Sequence, residues 1–148
     1  MKKFLALLLA LTMALCLAAC GNNSNQPAGS SAASGSGSAS GNSVKVGFIM
    51  LHDENSTYDL NFINGAKEAC EALGITDYII KTNIGENNDC YDAACELVDE
   101  GCNIIFADSF GHEDYMIQAA KENPDVQFCH STGTKAHTEG LANYHNAF

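Results

Sequence analysis

A chain of 148 residues with a formal net charge of −11 and no arginine is badly matched to polyanions. Its field repels nucleic acid and anionic membrane surfaces. Without a guanidinium, the usual bidentate clamp for a carboxylate or phosphate is also missing, which leaves helix N-termini as the remaining anion holders.

The first predicted element is a leader. Met1-Lys2-Lys3 is followed by an apolar run from Phe4 to Leu17 and by Leu17-Ala18-Ala19-Cys20. A basic start, a short apolar stretch and small residues before the cut make a secretory signal. The run is shorter than the roughly 20 residues that a spanning helix needs. A cysteine at the cut has the form of a bacterial lipobox, so residues 1–19 are expected to leave and Cys20 to carry lipid. Gly21 to Ser43 is Gly, Ser, Ala, Asn and Gln with a lone Pro27 and no charge. Such a segment buries too little apolar surface to offset its ordering entropy and reads as a flexible linker. The expected order is signal (1–19), lipidated Cys20 with linker (20–43), then a folded body (44–148).

The body alternates strand and helix patterns. Val44 to Leu51 is apolar and β-prone, which predicts a strand buried on both faces. Phe62, Ile63, Ala66, Ala69, Cys70 and Leu73 recur at helical spacing, with Ser56 or Thr57 as cap and Gly74 at the C-terminal stop. Tyr78-Ile79-Ile80 is the next strand. Asn88 or Asp89 is expected to cap a helix carrying Ala93, Ala94, Leu97 and Val98 and ending at Gly101. Asn103 to Ala107 is a third strand, Glu113 to Asn123 a third helix halted by Pro124, and Val126 to His130 a fourth strand. This alternation predicts an α/β fold, a parallel sheet with helices on both faces. In such sheets ligands bind beyond the carboxyl ends of the strands. That rule selects the loops His52 to Asp59, Lys81 to Asp89, Asp108 to Asp114 and Ser131 to Gly140.

Five cysteines lie in the body: Cys70, Cys90, Cys95, Cys102 and Cys129. An odd number outside the cytoplasm cannot all pair internally, and Cys90, Cys95 and Cys102 lack zinc-site spacing. Buried structural thiols are the expected role, with one disulfide left open. The five histidines do not share short helical spacings with other ligand types, and neither a Gly-x-Ser-x-Gly elbow nor a Gly-rich phosphate loop is present. No catalysis, no metal site and no cofactor are expected.

Several runs carry a resemblance. Asn55-Ser56-Thr57-Tyr58-Asp59 leading to Gly65-Ala66, Phe106 to His112, Ala120-Lys121-Glu122-Asn123-Pro124-Asp125-Val126-Gln127-Phe128, and Cys129-His130-Ser131-Thr132-Gly133 with Asn143-Tyr144 are similar to the basic membrane protein family. These are lipoprotein substrate-binding components of ABC transporters, purine-nucleoside receptors among them. The resemblance covers essentially all of Val44 to Phe148. It implies a type I periplasmic-binding-protein-like fold of two lobes closing on ligand about a hinge, of which this chain matches the first lobe only. Near Tyr144 to Phe148 the family begins another helix.

The resemblance maps the family's base-stacking aromatic onto Tyr58, whose flat face suits an uncharged purine. Asp59 stands where the family usually has Asn, and an ionised carboxylate accepts but does not donate. Asn55 takes the place of a family acid. Asp114 matches an acid at the start of the third helix, and Ser109 and Phe110 lie in the same loop. The implied ligand set is therefore Asn55, Tyr58, Asp59, Ser109, Phe110 and Asp114. The implied role is capture of a small uncharged ligand, a purine nucleoside foremost, for an ABC permease, at the extracytoplasmic face of a membrane that holds the protein through Cys20. The alternative is a lipid-anchored sensor presenting its ligand to a membrane receptor.

Overall fold

The computed structural model describes residues 44–147. The leader, Cys20 and the linker lie outside the described residues. Five strands, β1 Val46–Ile49, β2 Tyr78–Lys81, β3 Ile104–Ala107, β4 Gln127–His130 and β5 Tyr144–Asn146, form one sheet in the order β2-β1-β3-β4-β5. Every pairing is parallel, with Val46 opposite both Tyr78 and Ile104, and Phe128 opposite both Ile105 and Tyr144. The helices are α1 Thr57–Leu73, α2 Asn88–Asp99, α3 Glu113–Glu122 and a single turn, α4 Ala136–Glu139; a 3-10 turn, Phe110–His112, precedes α3.

The period-2 alternation of β1 divides the core. Val46, Phe48 and Met50 face α1 and meet Ile63, Ala66 and Cys70. Ile49 points to the other side, where Leu97 of α2, Met116 and Ala120 of α3, and Ile105, Phe128 and Tyr144 of the sheet form the larger cluster. Each of these large apolar side chains contributes roughly 1.5–3 kcal/mol on leaving water. Gly47 is required by this packing: a Cβ there would lie 2.9 Å from Cδ1 of Leu97 and 3.3 Å from Sγ of Cys102. The α1 face is less filled. Phe48 stacks on Phe106 at 5.5 Å between centroids, and beside them an open apolar cavity of about 350 Å³ runs under α1, bordered by Asn61, Phe62 and Gly65.

The caps largely follow local chemistry. Ser56 accepts the Asp59 N–H, and Gly74 closes α1 in the left-handed region at φ 69°. Asn87, rather than Asn88 or Asp89, caps α2; its side chain accepts the Asp89 N–H at 2.7 Å. An Asx cap works from the residue before the first helical turn, and here that residue is one earlier than the sequence pattern suggests. A second correction concerns Tyr144–Asn146, which is a strand where the resemblance implies the start of a helix. Phe128 N–H donates to Asn143 O, which draws the segment onto the open edge of β4. Among the described residues, all five cysteines are free; Cys70, Cys90 and Cys102 are buried, while Cys95 and Cys129 are partly so. Burial pushes the Cys90 thiol up to about 12, so it packs as an inert apolar group.

Candidate functional site

The carboxyl ends of β1, β3 and β4 gather three loops around one residue, Asp108. Its backbone carbonyl accepts hydroxyl donors from three elements: Tyr58 of α1 at 3.0 Å, Ser131 at 2.9 Å and Thr132 at 3.2 Å. Its Oδ1 accepts the Leu51 N–H at 3.1 Å. The rim of the sheet is thus held together by the end of β3.

Tyr58 stands on the first turn of α1, half-exposed, with its ring tilted against Phe62 at 4.9 Å and its hydroxyl tied to Asp108. Phe110 is 65% exposed. These two rings are the apolar surface of the rim. Asn55 is exposed and engaged within its own turn, donating to Asp53 Oδ1. Asp59 lies beneath the rim, fully buried, and accepts from the Ser56 hydroxyl at 2.5 Å and the His52 N–H at 2.8 Å. Burial raises its pKa, but Ser56 and His52 outweigh that effect and hold it at about 2. Ser109 is buried and donates to Glu86 Oε1 at 2.5 Å, which also receives the Gly111 N–H at 2.8 Å. Glu86 therefore clips the β2–α2 loop to the 3-10 turn. Asp114 points outward and forms an exposed ion pair with Lys135.

The structure separates these six residues into a rim and its supports. Tyr58 and Phe110 offer open faces, Asn55 and Asp114 flank them at the surface, and Asp59 and Ser109 are buried in hydrogen bonds. None of the six borders the cavity under α1, which meets the rim only through Asp108 and Ser131.

Sequence reasoning missed Glu113. It opens α3, is almost fully buried, and its Oε1 receives the N–H groups of Thr134 (2.7 Å) and Lys135 (2.8 Å), the Tyr144 hydroxyl (3.1 Å) and the Asn146 amide (3.3 Å). Burial raises its pKa, yet these donors prevail and hold it below the usual glutamate range. The one available signal was an acid at a helix start, which Asp114 shares. Two buried histidines complete the support. His112 Nε2 donates to Ile84 O at 2.9 Å and His130 Nε2 donates to Ser109 O at 2.6 Å. Burial lowers both pKa values, so both rings are held neutral.

Gly133 is enclosed by this cluster. A Cβ there would collide with Glu113 Oε1 and Asn146 Nδ2 and would lie 2.6 Å from His130 Nδ1. Gly133→Ala is expected to cost about 1–3 kcal/mol by overpacking, read as a lowered midpoint in urea unfolding. A neutral effect would show that the loop after β4 yields freely.

The chain is similar to known proteins. The chain is 34% identical over 111 residues to a purine-binding protein of Brucella abortus (strain 2308), an alignment covering 71% of this chain and 30% of that one. A solved ABC transporter solute-binding protein from Conexibacter woesei superposes with a TM-score of 0.61 at 19% identity, over 70% of this chain and 34% of that chain. A transcriptional activator of the comK gene from Bacillus halodurans superposes with a TM-score of 0.53 at 22% identity, over 60% and 30%. No protein-family model matches. The chain therefore spans about a third of the length of the proteins it matches. The identity to the purine-binding protein supports the resemblance of this chain to the basic membrane protein family, and the solved structures share its fold.

Proposed function

We propose that this chain supplies one lobe of a lipid-anchored solute-binding protein. It captures a small uncharged solute, a purine nucleoside, for delivery to an ABC permease. The observation that carries the reading is the rim: Tyr58 and Phe110 present aromatic surface beyond the carboxyl ends of parallel strands, where ligands of open α/β sheets bind. A purine is flat and neutral, so stacking on such rings gives contact area at little entropic cost. The acidic surface and the absence of arginine favour the same class over phosphorylated solutes. The likeness to a purine-binding protein adds support.

Anchoring belongs to the same proposal. Leu17-Ala18-Ala19-Cys20 and the Gly/Ser linker would hold the lobe at the extracytoplasmic face of the membrane, which raises its effective concentration at a permease without any new contact.

The test is titration of the chain with adenosine, guanosine and inosine, followed by NMR of the tyrosine and phenylalanine rings. The expected result is a saturable shift of Tyr58 and Phe110. Tyr58→Ala should then weaken binding by about 1–3 kcal/mol, the usual worth of one stacked base. Unmoved rings across the panel, or unchanged affinity without Tyr58, would overturn the nucleoside assignment.

A further inference from the structure

Beneath the rim, two buried carboxyls accept from adjacent backbone N–H groups, Asp108 Oδ1 from Leu51 at 3.1 Å and Asp59 Oδ1 from His52 at 2.8 Å. Asp59 is 0% and Asp108 2% exposed. Every donor seen at Asp59, from Ser56 and His52, approaches from its own loop. Asp108 Oδ1 takes the Leu51 N–H, while its buried Oδ2 faces no donor. That is the arrangement expected when Oδ2 itself bears the proton.

The surrounding elements offer no charge to neutralise a second carboxylate. From the 3-10 turn, His112 faces Asp108 with Nδ1 4.0 Å from Oδ1; its Nε2–H is committed to Ile84, and burial keeps the ring neutral. From α1 come Tyr58 and Asp59, and from α2 the buried thiol of Cys90, which is also uncharged. From the β1–α1 loop, His52 touches Asp59 rather than Asp108. Two like charges this close in a buried site cannot both persist, so one carboxyl keeps its proton.

We propose that Asp108 keeps its proton beside the Asp59 carboxylate and that this pair positions Tyr58 at the solute-binding rim. Asp108 is the acid and Asp59 the carboxylate. Burial, then the neighbouring Asp59 charge, pushes Asp108 up to about 7, while Asp59 is held at about 2. The Tyr58 hydroxyl rests on the backbone carbonyl of the same Asp108, so a change at the pair is felt one bond network away from the ring. Losing the proton to solvent leaves two carboxylates buried on adjacent backbone N–H groups. Their repulsion drives the first turn of α1 from the end of β3 and carries Tyr58 with it. Asp108 is a positioning residue in this arrangement, since its carboxyl oxygens are covered.

The sign of the stability effect follows. Asp108 has a folded value raised above its ordinary 3.8, so its contribution is fully present below that value and is lost as pH rises through about 7. Solute capture, which rests on the nucleoside reading above, should weaken over the same interval.

Carboxyl-carbon NMR of the full chain tests the pair directly and needs no solute. Asp108 should titrate near neutrality, Asp59 far below, and the Tyr58 ring should shift with the Asp108 midpoint. Asp108→Asn preserves shape and stays uncharged, so the Tyr58 transition should vanish in that variant. Both carboxyls titrating in the ordinary range would overturn the retained proton on Asp108. A Tyr58 ring that ignores the Asp108 midpoint would overturn the positioning role. Adenosine affinity, measured in parallel, should fall severalfold in the wild type above neutrality but not in Asp108→Asn. Equal pH dependence in both proteins would overturn the link to capture. Absence of adenosine binding at any pH would count against the nucleoside reading alone, because the NMR titration decides the pair independently.

Discussion

Glu113→Ala should lower the stability of the folded body by about 3 kcal/mol, because each buried donor stranded without its acceptor costs roughly 1–3 kcal/mol. The substitution strands the N–H groups of Thr134 and Lys135 and the Tyr144 hydroxyl, and it also removes a carboxylate from the N-terminus of α3. Glu113→Gln keeps one acceptor oxygen without the charge and should fall between the wild type and alanine. The pH dependence carries a second signature. Glu113 has a folded pKa below its ordinary 4.5, so its stabilisation is present above that value and is lost as pH falls through the folded one. The alanine variant should therefore show a shallower acid decline. Urea unfolding at neutral and acidic pH measures both effects. A loss under about 1 kcal/mol would mean that the loop after β4 finds other partners.

Phe128→Ala should cost about 3–5 kcal/mol, the range for truncating a fully buried aromatic ring. Phe128 is 0% exposed, lies on β4 between Ile105 and Tyr144, and belongs to the cluster with Met116 and Ala120 of α3. Against a total stability of about 5–15 kcal/mol for a domain of this size, that is a large share of the margin. With a urea slope of about 1–3 kcal/mol per molar, the midpoint should drop by roughly 2 M. Phe110→Ala is the matched control. That ring is 65% exposed, so its loss should change stability by no more than about 0.5 kcal/mol. Similar costs for the two phenylalanines would contradict the assignment of one to the core and the other to the rim.

Much of the fold was legible because its signals are local. The 3.6-residue spacing of Ile63, Ala66 and Cys70 marks α1, and Gly74 marks its stop through a left-handed φ. Pro124 bars helical conformation at Asn123, and α3 ends at Glu122. The fifth strand escaped because Tyr144–Asn146 is three residues long and has no alternation to read. Its place comes from an edge of β4 that is vacant until the chain returns. The α2 cap was misplaced by one residue because Asn87, Asn88 and Asp89 are chemically near-equivalent, and only backbone geometry chooses among them.

The rim was partly legible. The rule for open α/β sheets selected loops that the structure places beyond the carboxyl ends of the strands, and Tyr58 and Phe110 are exposed there. What remained hidden was which polar residues face outward and which serve as supports. Asp59 and Asp114 are both first-turn acids, yet one is fully buried and the other paired at the surface with Lys135. Nothing within a helical turn separates these outcomes. Glu113 and Asp114 differ by one residue, and a rotation of about 100° per residue sends one carboxylate inward and the other to solvent.

By itself the sequence determined the alternation of strands and helices, much of the buried face of each helix and the loops beyond the carboxyl ends of the strands. These depend on periodicity, composition and backbone preference, all encoded within a few residues. Only the tertiary structure decided that Asp108 is the hub of the rim, that it and Asp59 are buried on adjacent backbone N–H groups, and that Glu113 gathers four donors from the segment after β4. The partners in each case are separated by 20 to 50 residues or more along the chain, as with Tyr58 and Asp108 at 50. Their encounter depends on sheet order, and so does the electrostatics: two carboxyls that would each ionise in water are buried on adjacent backbone N–H groups.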